Sequence, residues 1–139
     1  MLQFLLDTDH LTLFDQGDPT VCSRLAAEPS GTVGISIVTV EEYLRGRLAQ
    51  LARARDGPAR IHRYGLLLAS VRLLGDVPAV PFDQSAEDAF QRLLGLRLRV
   101  GTQDLKIAAV GLANQLIVVT RNHRDFSKVP GLGLDDWSV

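Results

Sequence analysis

The chain is poor in the residues that would tie it together covalently or carry it into a membrane. Its single cysteine, Cys22, excludes an internal disulfide and a cysteine-only metal cluster, and suits a reducing compartment. No apolar run approaches the roughly 20 residues of a spanning helix. The most apolar stretch, Leu66-Leu67-Leu68-Ala69, is short and flanked by Arg63 and Arg72. Met1-Leu2-Gln3-Phe4 has neither the basic opening nor the cleavage site of a secretory leader, so the expectation is a cytoplasmic protein with no membrane partner. Aromatic residues are scarce, at 6%, which leaves few platforms for stacking bases. An excess of one charge is missing too: the formal net charge is -1. Any nucleic acid must therefore meet a local basic patch, because the protein as a whole is not basic.

What is present describes one ordinary domain, expected to span residues 1–139. The composition, 46% apolar and 22% charged, is that of a globular α/β chain. Leu2 to Leu6 predicts a strand, with Asp9 as N-cap of a short helix through Phe14; Asp15 to Pro19 reads as turn, and Cys22 to Ala27 as a helix. Val33 to Val38 predicts a second strand. A helix from Thr39 then places Val40, Leu44, Leu48 and Leu51 along one side, until Asp56-Gly57-Pro58 breaks it. Arg60 to Leu74 is a further helix, and Ala79 to Pro81 a short edge strand between prolines. Ser85 is expected to cap a helix with Ala86, Ala89, Phe90, Leu93 and Leu94 at i, i+3, i+4, i+7 and i+8. Asp104 to Asn114 predicts another helix and Leu116 to Thr120 another strand, with Pro130 to Leu134 a candidate edge strand. Strands separated by helices imply a parallel sheet covered on both faces.

Four carboxylates stand at the ends of these runs: Asp7 after the first strand, Glu42 after the second, Asp104 at a helix start, and Asp125 just past the last confident strand. In an open parallel sheet, ligands collect outside the carboxyl ends of the strands, so acids attached there converge though distant in sequence. Taken singly, each has an ordinary role. Asp7 can simply end a strand, Glu42 and Glu41 can favour the dipole of a helix's first turn, Asp104 or Thr102 can cap a helix, and Asp125 can form a turn. Their joint placement points to a cation site instead. Two carboxylates about 4 Å apart repel by roughly 4 kcal/mol at an effective dielectric near 20, so several share a pocket ionised only beside a cation. Oxygen-only ligands favour Mg²⁺ or Mn²⁺, and phosphodiester hydrolysis is the natural reaction.

The motifs resemble those of PIN-domain proteins of the VapC type, ribonuclease toxins of toxin–antitoxin pairs. Leu5-Leu6-Asp7-Thr8-Asp9 is similar to that family's LLDTN opening, and Ser36 to Gly46 to its S-x-x-T-x-x-E-L-x-x-G segment, which selects Glu42 over Glu41. Gly101 to Ala109 resembles G-x-x-D-x-x-I-A-A, and Thr120 to Phe126 resembles T-x-N-x-x-D-F. Pro81-Phe82-Asp83 and the ending, Pro130-Gly131-Leu132 with Asp136-Trp137, fit as well. The resemblance implies a three-layer α/β/α sandwich with a mainly parallel central sheet. It implies a metal-dependent endoribonuclease whose catalytic and metal-binding acids are Asp7, Glu42, Asp104 and Asp125. Asn122, Thr8 and Thr120 become supporting polar groups. It also implies a cognate VapB-like antitoxin and a homodimer. Asp9, where asparagine is usual, either joins the pocket or caps the first helix; Tyr43 replaces a leucine.

Arg45, Arg47, Arg53, Arg55, Arg60 and Arg63 crowd one region. They read either as solvated helix surface or as an RNA backbone rail, with Arg45, Arg47 and Arg121 the candidate RNA contacts. Tyr43 and Tyr64 are candidate base platforms, His10 and His123 polar neighbours of the acids, and His62 surface. Two alternatives stay open. One is a noncatalytic PIN-like module that binds RNA or protein. The other is a haloacid-dehalogenase-like phosphatase with Asp7-Thr8-Asp9 as its D-x-D loop, which lacks a well-placed lysine and leaves Glu42 unexplained.

Overall fold

The computed structural model describes residues 1–139. Five strands, β1 (Phe4–Leu6), β2 (Val33–Ser36), β3 (Ala79–Val80), β4 (Ile117–Val119) and β5 (Leu134–Asp135), form one sheet in the order β3-β2-β1-β4-β5. Every pairing is parallel, with Leu5 opposite Gly34 and Val118 and Leu6 opposite Ile35 and Val119. The short strands β3 and β5 are the edges; β3 falls where the flanking prolines predict, whereas β5 starts only at Leu134, the last residue of the expected Pro130–Leu134 strand.

Helices lie on both faces. These are α1 (Thr8–Asp15), α2 (Pro19–Ala27), α3 (Ile37–Ala52), α4 (Gly57–Gly75), α5 (Gln84–Gly95), α6 (Thr102–Ala113) and the single turn α7 (His123–Phe126). Alternation along the strands divides the core. Leu5 and Val118 face one way, into a cluster with Ala86, Ala89, Phe90 and Leu93 of α5 and Leu105, Ile107, Ala108, Ala109 and Val110 of α6. Leu6, Ile35 and Val119 face the other way, against Leu11, Tyr43 and the fully buried Trp137. This is the three-layer α/β/α arrangement, and no helix is long and apolar enough to cross a membrane.

Several boundaries move because side chains cap backbone N–H groups earlier than periodicity alone predicts. Asp7, rather than Asp9, caps α1 through the His10 amide. Ser36 accepts from the Thr39 amide, so Ile37 and Val38 belong to α3 and not to the second strand. Asp83, rather than Ser85, caps α5. Asp56 caps α4, so the Asp56-Gly57-Pro58 break is also the next helix's start. Where β2 passes its neighbour, Gly34 is required by contact: a Cβ there would lie 2.8 Å from the Pro78 carbonyl oxygen.

Candidate active site

Asp7 follows β1 directly, and its amide donates to the Val119 carbonyl at the end of β4. The crevice between these two strands is where the sheet order reverses, the place at which open parallel sheets bind ligands. Asp7 is 6% exposed. Its Oδ1 accepts from the His10 amide at 2.8 Å.

Glu42 comes from the second turn of α3, because that helix begins at Ile37. The dipole explanation for this acid therefore weakens, since the effect falls off within the first turn. Glu42 Oε1 accepts from the Thr8 hydroxyl at 2.6 Å, which ties α3 to the start of α1. Its neighbour Glu41 faces away, accepting from Gln103 of α6 at 3.0 Å and from Arg45.

Asp104 stands in the first turn of α6 without capping it; the N-cap position is Gly101 and makes no side-chain bond. Its Oδ2 accepts from the Asn122 amide at 3.3 Å, and the same nitrogen donates to Asp125 Oδ2 at 3.1 Å. Asn122 thus bridges two of the four acids. Thr120 is fully buried and its Oγ1 accepts from the Asn122 backbone N–H at 2.8 Å, so it holds the loop that presents Asn122 and does not itself enter the pocket. Asp125 lies in α7 and is not a bare turn residue; Lys128 reaches it at 3.4 Å.

Electrostatics joins all four. Burial, and then the charges of Glu42, Asp7 and Asp125, push the Asp104 carboxyl up to about 6. Asp125 moves below the usual carboxylate range, because the Asn122 amide and Lys128 favour its ionised form against the cost of burial. The ring is open as it stands: no three acidic or imidazole side chains are close enough to hold an ion. Beside it, a cavity of about 300 Å³ opens between α1 and α3, with Thr8 and Glu42 on its wall.

The other candidates disperse. Arg121 forms a two-point pair with Asp9, at 2.6 and 3.1 Å, on the surface. Asp9 therefore neither caps α1 nor enters the ring. Arg45 is paired with Glu41. Arg47 is built into the fold: it contacts Asp15 at 2.8 Å, Ser70 at 2.9 Å and the Tyr43 hydroxyl at 3.2 Å, and lies over the Tyr43 ring. Tyr43 is buried and its hydroxyl donates to Asp15, so it is no base platform; Tyr64 is 58% exposed. His62 and His123 are exposed. Sequence reasoning missed Lys128, whose i+3 spacing from Asp125 was the available signal. It also undervalued His10, which lies fully buried against Asp7.

Residues 4–132 match the model of the PIN domain, and the chain belongs to the PIN domain family. That membership displaces the haloacid-dehalogenase alternative. Over 142 aligned positions the chain is 26% identical to a tRNA(fMet)-specific endonuclease VapC of Salmonella typhimurium, with 99% of each chain covered. It is 28% identical to the protein of the same name from Shigella flexneri, covering 99% of this chain and 100% of that one. Among solved structures, DNA-bound VapBC from Salmonella typhimurium superposes with a TM-score of 0.78 at 22% identity, covering 99% of both chains.

Proposed function

We propose that this chain, acting as a single domain over residues 1–139, is a VapC-type endoribonuclease that hydrolyses RNA phosphodiester bonds with Mg²⁺ or Mn²⁺. The observation that carries the reading is the placement of Asp7, Glu42, Asp104 and Asp125 about the carboxyl end of the sheet, where burial and then the charges of the other three push the Asp104 carboxyl up and a cation would relieve the repulsion. The donor set suits a hard divalent ion, since every candidate ligand is an oxygen. Asp7, Glu42, Asp104 and Asp125 would hold it directly or through water. Bound there, the ion supplies Lewis acidity, activating water and screening phosphate charge.

The chain's own groups do the positioning. The Thr8 hydroxyl fixes one oxygen of Glu42 and leaves the other for the pocket. Asn122 keeps Asp104 and Asp125 on one side of the ring, and Thr120 keeps Asn122 in place. Transfer RNA is the substrate class favoured by the names of the relatives covered over their full lengths. Backbone contacts fall to Arg121 and Arg45 at the rim ahead of Arg47, whose donors are engaged internally.

The partner is a VapB-like antitoxin, and the setting is the cytoplasm. Ile61, Tyr64, Leu68 and Val71 are exposed along one side of α4, with Leu48 of α3 also exposed. Such an apolar stripe suits an amphipathic antitoxin segment, whose arginine can pair with the acids and pre-empt the cation. A homodimer face is the competing use of the stripe. The test is incubation of antitoxin-free protein with total RNA and a tRNA panel in Mg²⁺, in Mn²⁺ and in chelator, beside Asp104→Asn. Cleavage needing both metal and Asp104 is expected. RNA binding without cleavage under every condition would favour a noncatalytic module.

A further inference from the structure

His10 is 0% exposed, yet its Nδ1 is the one buried side-chain nitrogen or oxygen with no hydrogen-bond partner. That atom faces Asp7 Oδ1 at 3.3 Å, off the line of a good hydrogen bond. On the far side of the ring, Nε2 accepts from the Trp137 backbone N–H at 3.2 Å and lies 3.4 Å from Asp136 Oδ1. The imidazole therefore sits between a pocket acid and the C-terminal tail, 127 residues away in sequence.

These contacts decide where its hydrogen is. A neutral imidazole carries one N–H, and the tautomer is set by the bond the other nitrogen makes. With Nε2 accepting from Trp137, the hydrogen is on Nδ1. Were the ring charged, with Nε2 turned to Asp136, Nδ1 would still carry a hydrogen. Only the Nε2–H tautomer leaves Nδ1 bare, and it sets Nε2–H against the Trp137 backbone N–H while aiming a lone pair at the Asp7 carboxylate.

From this geometry we infer that His10 is a positioning residue for Asp7: its backbone N–H holds Oδ1, and the tail fixes the ring so that Nδ1–H faces the same oxygen at 3.3 Å. Asp7 Oδ2, which has no protein hydrogen bond, is thereby left to the pocket. The inference rests on the reading of Asp7 as a cation ligand. Partners that orient ligating carboxylates commonly govern metal affinity as strongly as some ligands do. The Asp136-Trp137 ending thus acts on the site from behind.

The experiment compares the full chain with His10→Asn and His10→Gln, each checked by thermal unfolding. The asparagine amide falls near the Nδ1 position and keeps a donor toward Asp7; glutamine reaches the Nε2 position and keeps only the Trp137 side. Mn²⁺ affinity is measured by titration calorimetry, and the wild-type His10 tautomer by ¹⁵N NMR. Expected are a protonated Nδ1, near wild-type affinity for His10→Asn, and a loss of about 10- to 100-fold for His10→Gln. A neutral Nε2–H tautomer overturns the inference, as does equal Mn²⁺ affinity in both variants, whether kept or lost. A wild type that binds no Mn²⁺ removes the cation site itself, and this inference with it.

Discussion

The acids of the crevice and the three arginines Arg45, Arg47 and Arg121 are both sets of charged groups, but they are built in opposite ways. Asp7, Glu42, Asp104 and Asp125 are distant in sequence and meet in space with one cation, Lys128, reaching only the last of them. Arg45 and Arg47 are neighbours in sequence, yet each finds an acid of its own, Glu41 and Asp15; Arg121 finds Asp9. Uncompensated like charge is costly, and a fold retains it where something else will neutralise it. Crowding of like charge along a sequence carries less information, because partners elsewhere in the chain can cancel it.

The largest effect should follow from breaking the acidic cluster. Asp104→Asn is expected to cut metal-dependent cleavage at least about 100-fold, at the upper end of the range for changes around a metal. The same variant should be more stable than wild type without metal near neutral pH. The folded protein holds a proton on Asp104 up to about 6, against an ordinary value of 3.8, so it binds more protons than the unfolded chain between those values. Asp104 therefore lends stability at low pH that drains away as pH rises through about 6. Partial exposure discounts the gain to the order of 1 kcal/mol, a few degrees in Tm. Saturating Mn²⁺ should reverse the ranking, since it stabilises only the chain that binds it. A variant no more stable than wild type at pH 7 would mean that the four acids do not repel as described.

Arg47→Ala tests the opposite side. Its guanidinium is partly buried against Asp15, Ser70 and Tyr43, and its loss leaves charged and hydroxyl groups unpaired. Hydrogen bonds to charged groups contribute about 1.5–3 kcal/mol, so destabilisation near the low end of that range is expected in a urea titration. RNA affinity should keep its salt slope. A slope reduced by about 1 would restore Arg47 to the RNA contacts.

How much was legible in the sequence follows the same division. The parallel sheet, its edges and the four acids were readable, because period, turn chemistry and strand ends are local signals that a parallel topology converts into convergence. The helix starts at Asp7, Ser36 and Asp83 were not, since Asp7, Asp9, Ser36, Ser85 and Asp83 are all competent caps and tertiary packing chooses among them. That choice mattered: it moved Glu42 to the second turn of α3 and gave Asp7 a second partner in His10. The arginine pairings were also hidden, because Arg47–Asp15 spans 32 residues and Arg121–Asp9 spans 112. Nothing in a local pattern encodes contacts of that separation.

Thr8→Val sharpens the comparison within the site. It removes the 2.6 Å hydroxyl bond that fixes Glu42 while nearly preserving shape. A bond to a charged group contributes about 1.5–3 kcal/mol, and partial exposure puts this one near the low end. The orientation of Glu42 should matter more than the energy of the bond. A kcat reduced about tenfold, with Tm shifted by only a few degrees, is the expected pattern. Equal loss in a Glu42→Gln background would show that Thr8 acts by some route other than Glu42.

The smallest effect belongs to the Asp9–Arg121 pair, and its smallness is what makes it decisive. Both side chains are about half exposed, so the pair should contribute no more than about 1 kcal/mol to stability despite its two-point geometry. Asp9→Asn leaves the fold intact and frees the Arg121 guanidinium beside the crevice. If Arg121 can reach an RNA phosphate, the freed cation should strengthen RNA binding and steepen its dependence on salt by about one counterion. An unchanged slope in Asp9→Asn, together with no loss of RNA affinity in Arg121→Ala, would confine the pair to the surface. Arg121 would then serve the surface alone, and backbone contacts would fall to Arg45 of α3 and the exposed arginines of α4.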